Sequence, residues 1–123
     1  LLRSWILDPG SDIHVCNNDE EFDWTEPASD DEFILAGGKE LRIEAWGQVT
    51  LTLQTPSGSK ETTLKHVALI PSFFTNLVSL ARLTHLYFHF DSGRLCIYKI
   101  IDYTTFTTQP VVKLTRFGGH WLM

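Results

Sequence analysis

Alternation between apolar and polar positions recurs along this chain in short runs divided by turn-forming residues, while helical spacing is nearly absent. Leu41-Arg42-Ile43-Glu44-Ala45-Trp46 alternates most cleanly, and Val49, Leu51 and Leu53 place one face of a further strand inward. Ser4 to Leu7 reads as a first strand ended by Pro9-Gly10, and Ile13 to Cys16 resumes extended structure before Asn17-Asn18-Asp19 turns it. Phe33 to Leu35 joins Leu41 to Trp46 through Ala36-Gly37-Gly38-Lys39, a hairpin because glycine supplies the positive φ that primed turns require. A second hairpin runs from Gln48–Gln54 across Pro56-Ser57-Gly58-Ser59 to Glu61–Leu69, and Pro71 halts its last strand. Thr75 to Leu83 then predicts one short helix, with Thr75 or Asn76 as N-cap and Leu77, Leu80 and either Ala81 or Leu83 as its buried stripe. Further strands are expected at Tyr87–Phe90, Arg94–Tyr98, Pro110–Leu114 and His120–Leu122. The expectation is an all-β fold with one short helix, in one domain spanning residues 1–123.

Composition supports a packed domain. With 43% hydrophobic and 20% charged residues the chain is close to the globular average, and a chain of 123 residues buries roughly two-thirds of its unfolded surface. No apolar run approaches the roughly 18 residues of a bilayer span, and no signal-peptide pattern opens the sequence, so no membrane partner is expected. The net charge of −5 is uneven: residues 1–45 carry twelve acids against three bases, and residues 46–123 carry three acids against seven bases. Much of the acid falls between Asp19 and Glu32, which reads as a solvated loop pinned by Phe22 and Trp24. Nucleic-acid binding would require a basic stripe, and the sequence has none.

Cys16 and Cys96 lack the spacing of a zinc or redox motif and read as buried free thiols. His14 with Cys16, or His85 with His89, would supply two metal ligands each, short of the usual four, so no metal and no cofactor is expected.

Candidate chemistry concentrates in Asp8-Pro9-Gly10-Ser11, directly behind the apolar run Trp5-Ile6-Leu7. A buried strand that delivers a carboxylate into a glycine turn is the way an aspartic protease presents its acid. Peptide hydrolysis by carboxylates needs two of them sharing one proton, because like charges about 3 Å apart cannot both ionise. A short chain with one such turn supplies the pair by two-fold self-association, Asp8 against Asp8. The fainter echo Phe90-Asp91-Ser92-Gly93 reads as a hairpin turn, since two acid-bearing lobes would need roughly twice this length.

Trp5-Ile6-Leu7-Asp8-Pro9-Gly10-Ser11-Asp12-Ile13-His14 resembles the W-[ILV]-[LV]-D-[ST]-G-[AS]-x-x-H signature of the protease domain in copia-type retrotransposon Gag-Pol polyproteins. Trp46 to Leu51 resembles that family's G-x-G-x-V-x-L segment, His66 to Pro71 its N-V-L-Y-V-P strand, and Thr75 to Leu83 its x-N-L-L-S-V-S-x-L segment. Gly118 to Leu122 resembles the N-G-L-Y-x-L close. The resemblance implies a small closed retropepsin-like β-barrel excised from a longer polyprotein. It further implies a homodimer that cuts polyprotein peptide in the cytoplasm, within virus-like particles. Asp8 would be the catalytic acid, with Gly10, Asp12 and the flap residues Ala36, Gly37 and Gly38 binding substrate. Asp12 is equally readable as a surface residue, and His14 as a structural hydrogen-bonding residue at the strand end. Phe73 to Leu83 would support the acid turn from behind.

Position 9 departs from the pattern. The family carries serine or threonine there, whose hydroxyl and N–H bridge the two acid turns across the dimer axis, whereas Pro9 has neither donor. The alternative reading is therefore a catalytically impaired barrel, serving as a spacer or as a peptide-binding module through a sheet edge.

Overall fold

The computed structural model describes residues 2–123, and among them the chain forms thirteen strands and one α-helix. The all-β class read from the periodicity is the class of the molecule. β1 (Trp5–Asp8) and β2 (His14–Cys16) are followed by a 3₁₀ turn, Asp19–Glu21, and by β3 (Phe22–Pro27). The hairpin of β4 (Phe33–Ala36) and β5 (Lys39–Arg42) precedes a long pair, β6 (Ala45–Thr55) and β7 (Gly58–Leu69). β8 (Asn76–Ser79) leads directly into α1 (Leu80–His85). β9 (His89–Asp91), β10 (Cys96–Asp102), β11 (Thr107–Lys113), β12 (Thr115–Phe117) and β13 (His120–Leu122) complete the order.

Eight strands form one sheet in the order β12-β13-β1-β8-β2-β7-β6-β3, with β11-β10-β9 and β4-β5 as separate smaller sheets. At its centre β1 runs parallel to β8, and β2 runs parallel to β7. Period-two alternation divides these strands between two cores. Leu7, Cys16, Val67 and Val78 face a cluster shared with α1, β10 and β11, whereas their neighbours Ile6, Val15, Ala68 and Leu77 face a second cluster against which the β4–β5 hairpin packs. The large sheet is thus sandwiched between the three-stranded sheet on one face and the hairpin on the other.

This layering replaces the closed barrel expected from the sequence. β3 and β12 stand at opposite ends of the sheet and share no ladder. β3 is exposed from Asp23 to Pro27 and β12 along its whole length, so neither edge is covered by the other. The architecture is barrel-like and open.

Three local expectations change. Residues 76–79 form a strand and not the first turn of a helix, because all four are buried between β1 and β2, where backbone partners lie on both sides. α1 begins one turn later, capped by Ser79, whose Oγ accepts the Arg82 N–H at 3.1 Å. The acidic segment is not a loop throughout: Phe22–Pro27 pairs antiparallel with β6, its charges pointing to solvent from an edge. Leu41 to Trp46 is interrupted at Ile43-Glu44, whose N–H groups leave the hairpin to bond Glu32 O at 3.0 Å and Leu69 O at 2.9 Å.

Candidate active site

β1 ends at Asp8 because Pro9 has no N–H to continue a ladder. The Gly10 N–H donates to Asp8 Oδ1 at 2.8 Å, closing an Asx turn that fixes the carboxyl at the mouth of the sheet. Oδ2 makes no hydrogen bond among the described residues. Asp91 in the echo motif is held differently: its Oδ1 accepts the N–H groups of Gly93 and Arg94, and its Oδ2 takes Arg94 Nε at 2.7 Å. Hydrogen bonds from the Arg94 side chain, then from its backbone, hold the Asp91 carboxyl below its ordinary range. Asp91 is a hairpin-turn residue between β9 and β10, and only Asp8 keeps an oxygen available.

Behind the turn, three residues form a polar clamp. Ser79 Oγ donates to the Ser11 carbonyl at 2.6 Å, while the Ser79 N–H donates to His14 Nδ1 at 2.9 Å. Ser11 Oγ in turn donates to Ile13 O at 2.6 Å. His14 is 3% exposed, and its pKa is lowered from 6.5 to about 4, first by burial and then by the nearby Arg82 charge. A neutral imidazole accepting at Nδ1 carries its proton on Nε2. The hydrogen bond expected of His14 is thus present, and it anchors the start of α1 to the acid turn.

Asp8, Gly10, Asp12 and Ala36 line one cleft of about 480 Å³. Its remaining wall includes Ile34 and Leu35 from the hairpin and Phe73 and Leu77 from below. Gly37 and Gly38 lie outside it, at the hairpin tip, with φ of 58° and 80° and nothing within 4 Å of a Cβ placed on either. Asp12 is exposed and lies on the cleft. The sequence reading missed Ile34 and Leu35, which the uniformly apolar run Phe33 to Ala36 does not single out, and Ser79, which the predicted helix concealed. On the other side of Asp8, a smaller hollow of about 240 Å³ is shared by Asp8, Pro9, Phe74, His120 and Trp121. β13 pairs Leu122 with Ile6, and the same antiparallel register carries His120 beside Asp8.

A family model described as the β-barrel domain of Pol polyproteins matches residues 5–88, a span that holds the acid turn, the hairpin, the clamp and α1. The chain belongs to that family. No curated protein and no solved structure matches it. In this Pol polyprotein β-barrel domain the match stops before β9, so the three-stranded sheet and β13, which flanks the acid strand, lie beyond it. Both cysteines are buried and free, and burial pushes the Cys16 thiol up to about 11, which leaves it protonated and unreactive.

Proposed function

We propose that this Pol polyprotein β-barrel domain is a retropepsin-type aspartic endopeptidase of a copia-type element, acting as a homodimer on polyprotein peptide within cytoplasmic particles. One observation carries the reading: a single cleft joins Asp8 to Ile34, Leu35 and Ala36 of the β4–β5 hairpin, directly before its Gly-Gly tip. The hairpin's two strands pair only with each other, leaving main-chain groups on their outer edges for an extended peptide. In the dimer each protomer contributes one Asp8, and the pair holds one proton. The ionised carboxylate takes a proton from water as the water oxygen attacks the peptide carbonyl carbon, while the protonated partner gives its proton to the carbonyl oxygen. Proton return to the amide nitrogen then allows the C–N bond to break. Gly10, Asp12, Ala36, Gly37 and Gly38 are the residues we assign to peptide binding. The test is cleavage of Gag-Pol-derived peptides at mildly acidic pH, with inhibition by a statine-type mimic. Asp8→Asn is expected to abolish turnover without loss of fold; wild-type dimer that cuts none of these peptides would overturn the proposal.

Pro9 favours a second reading. Exposed at the tip of the turn and without an N–H, it offers no bridge to a partner turn. On this reading the domain is a non-catalytic peptide-binding module of the polyprotein, and peptide would bind the cleft uncut.

A further inference from the structure

A second cavity, of about 450 Å³, lies on the opposite face of the central sheet from Asp8. β2 separates the two: Ile13 and Val15 face the acid cleft, and His14 between them faces the second cavity. Leu53, Leu64, Val78, Leu83, Ile97 and Val112 wall it, all of them buried core residues contributed by β6, β7, β8, α1, β10 and β11. Protein interiors normally pack to a density of about 0.74, so a hollow of this size among aliphatic side chains leaves their contacts incomplete. Its volume falls within the roughly 300–1,000 Å³ of small-molecule sites.

The mouth has a distinct chemistry. Lys65 and Arg82 are its charged residues, and no acidic residue lines the cavity. Neither cation enters an ion pair among the described residues. Arg82 spends Nη1 on the His66 carbonyl at 2.8 Å, which orients the guanidinium and leaves most of its five N–H donors for another acceptor. Leu86, 59% exposed, extends the apolar wall to the rim. An aliphatic interior beneath two unpaired cations suits a ligand with one apolar tail and one anionic end.

We propose that this cavity binds a medium-chain aliphatic carboxylate, its chain along Leu53, Val78, Leu83 and Ile97 and its carboxylate at Arg82 and Lys65. Guanidinium and carboxylate match in a forked geometry that a phosphate-free planar head satisfies. The site does not depend on whether Asp8 cleaves peptides.

The test is an NMR titration of the intact chain with octanoate, decanoate and decanol, each below its aggregation concentration. Saturable shifts are expected at Val78, Leu83 and Ile97, with decanoate tighter than octanoate by roughly fifteenfold, since each of its two further buried methylenes contributes about fourfold. Arg82→Gln and, separately, Lys65→Gln are expected to weaken decanoate several-fold and leave decanol unchanged. Lys65 is exposed and enters no ion pair among the described residues, so its variant keeps the test clear of misfolding. The proposal is overturned if decanoate does not saturate, if its shifts map to Asp8, Leu35 and Phe73 instead, or if decanol binds as tightly as decanoate to the unmodified chain.

Discussion

Ser79 concentrates three interactions in one residue: its hydroxyl caps α1 and holds the Ser11 carbonyl, and its N–H is taken by His14. Ser79→Ala keeps the N–H bond but loses the cap and leaves a part-buried carbonyl unsatisfied. The expected loss is about 2 kcal/mol in a denaturant titration, with α1 fraying first. His14 supplies a pH dependence whose sign follows from its neutral buried state. Its folded pKa of about 4 lies below the ordinary 6.5, so the unfolded chain takes up a proton first as pH falls. Stability is complete above about pH 6.5 and declines towards about pH 4, with a slope of at most about 1.4 kcal/mol per pH unit from this group. Midpoints measured across that window should fall in the native chain, and His14→Asn should flatten the His14 part of the slope. Asp8 and the small residues after it were legible in sequence because a turn needs few atoms to specify it. The clamp was not, because its two ends lie 68 residues apart at Ser11 and Ser79.

Among the elements, both hairpins were legible from local chemistry, since Gly37 and Gly38 in the first turn and Gly58 in the second adopt the positive φ that glycine supplies. Residues 76–79 misled because Leu77, Leu80 and Leu83 fit a helix as well as a buried strand followed by a helix; only tertiary pairing with β1 and β2 decides between them. β3 was concealed by its charges, which an edge strand can carry on its solvent side. Its place depends on Gly47, where any Cβ would collide with the Trp24 carbonyl and lie 2.8 Å from the Phe22 ring. Gly47→Ala should therefore displace β3, at a cost of about 1–3 kcal/mol, and accelerate hydrogen exchange in residues 22–27 while sparing β1 and β8.

For the whole molecule, the question left by position 9 is one of association. Pro9 and Phe74, the latter 62% exposed, border the hollow beside Asp8, and Pro9 itself offers no donor to a partner turn. Pro9→Thr restores a hydroxyl and an N–H in each protomer. If the homodimer forms through this turn, sedimentation should show tighter association by about tenfold or more, since each recovered hydrogen bond contributes about 0.5–1.5 kcal/mol; unchanged association would place any dimer contact elsewhere. The strand order has a further consequence, one of timing. β1 is held on one side by residues 76–79 and on the other by residues 120–122, so Asp8 has no complete support until residue 122 has been made. At about 5–20 residues per second, translation supplies that last strand on the order of ten seconds after Asp8 itself. The acid turn is therefore synthesised well before the strands that fix it in place.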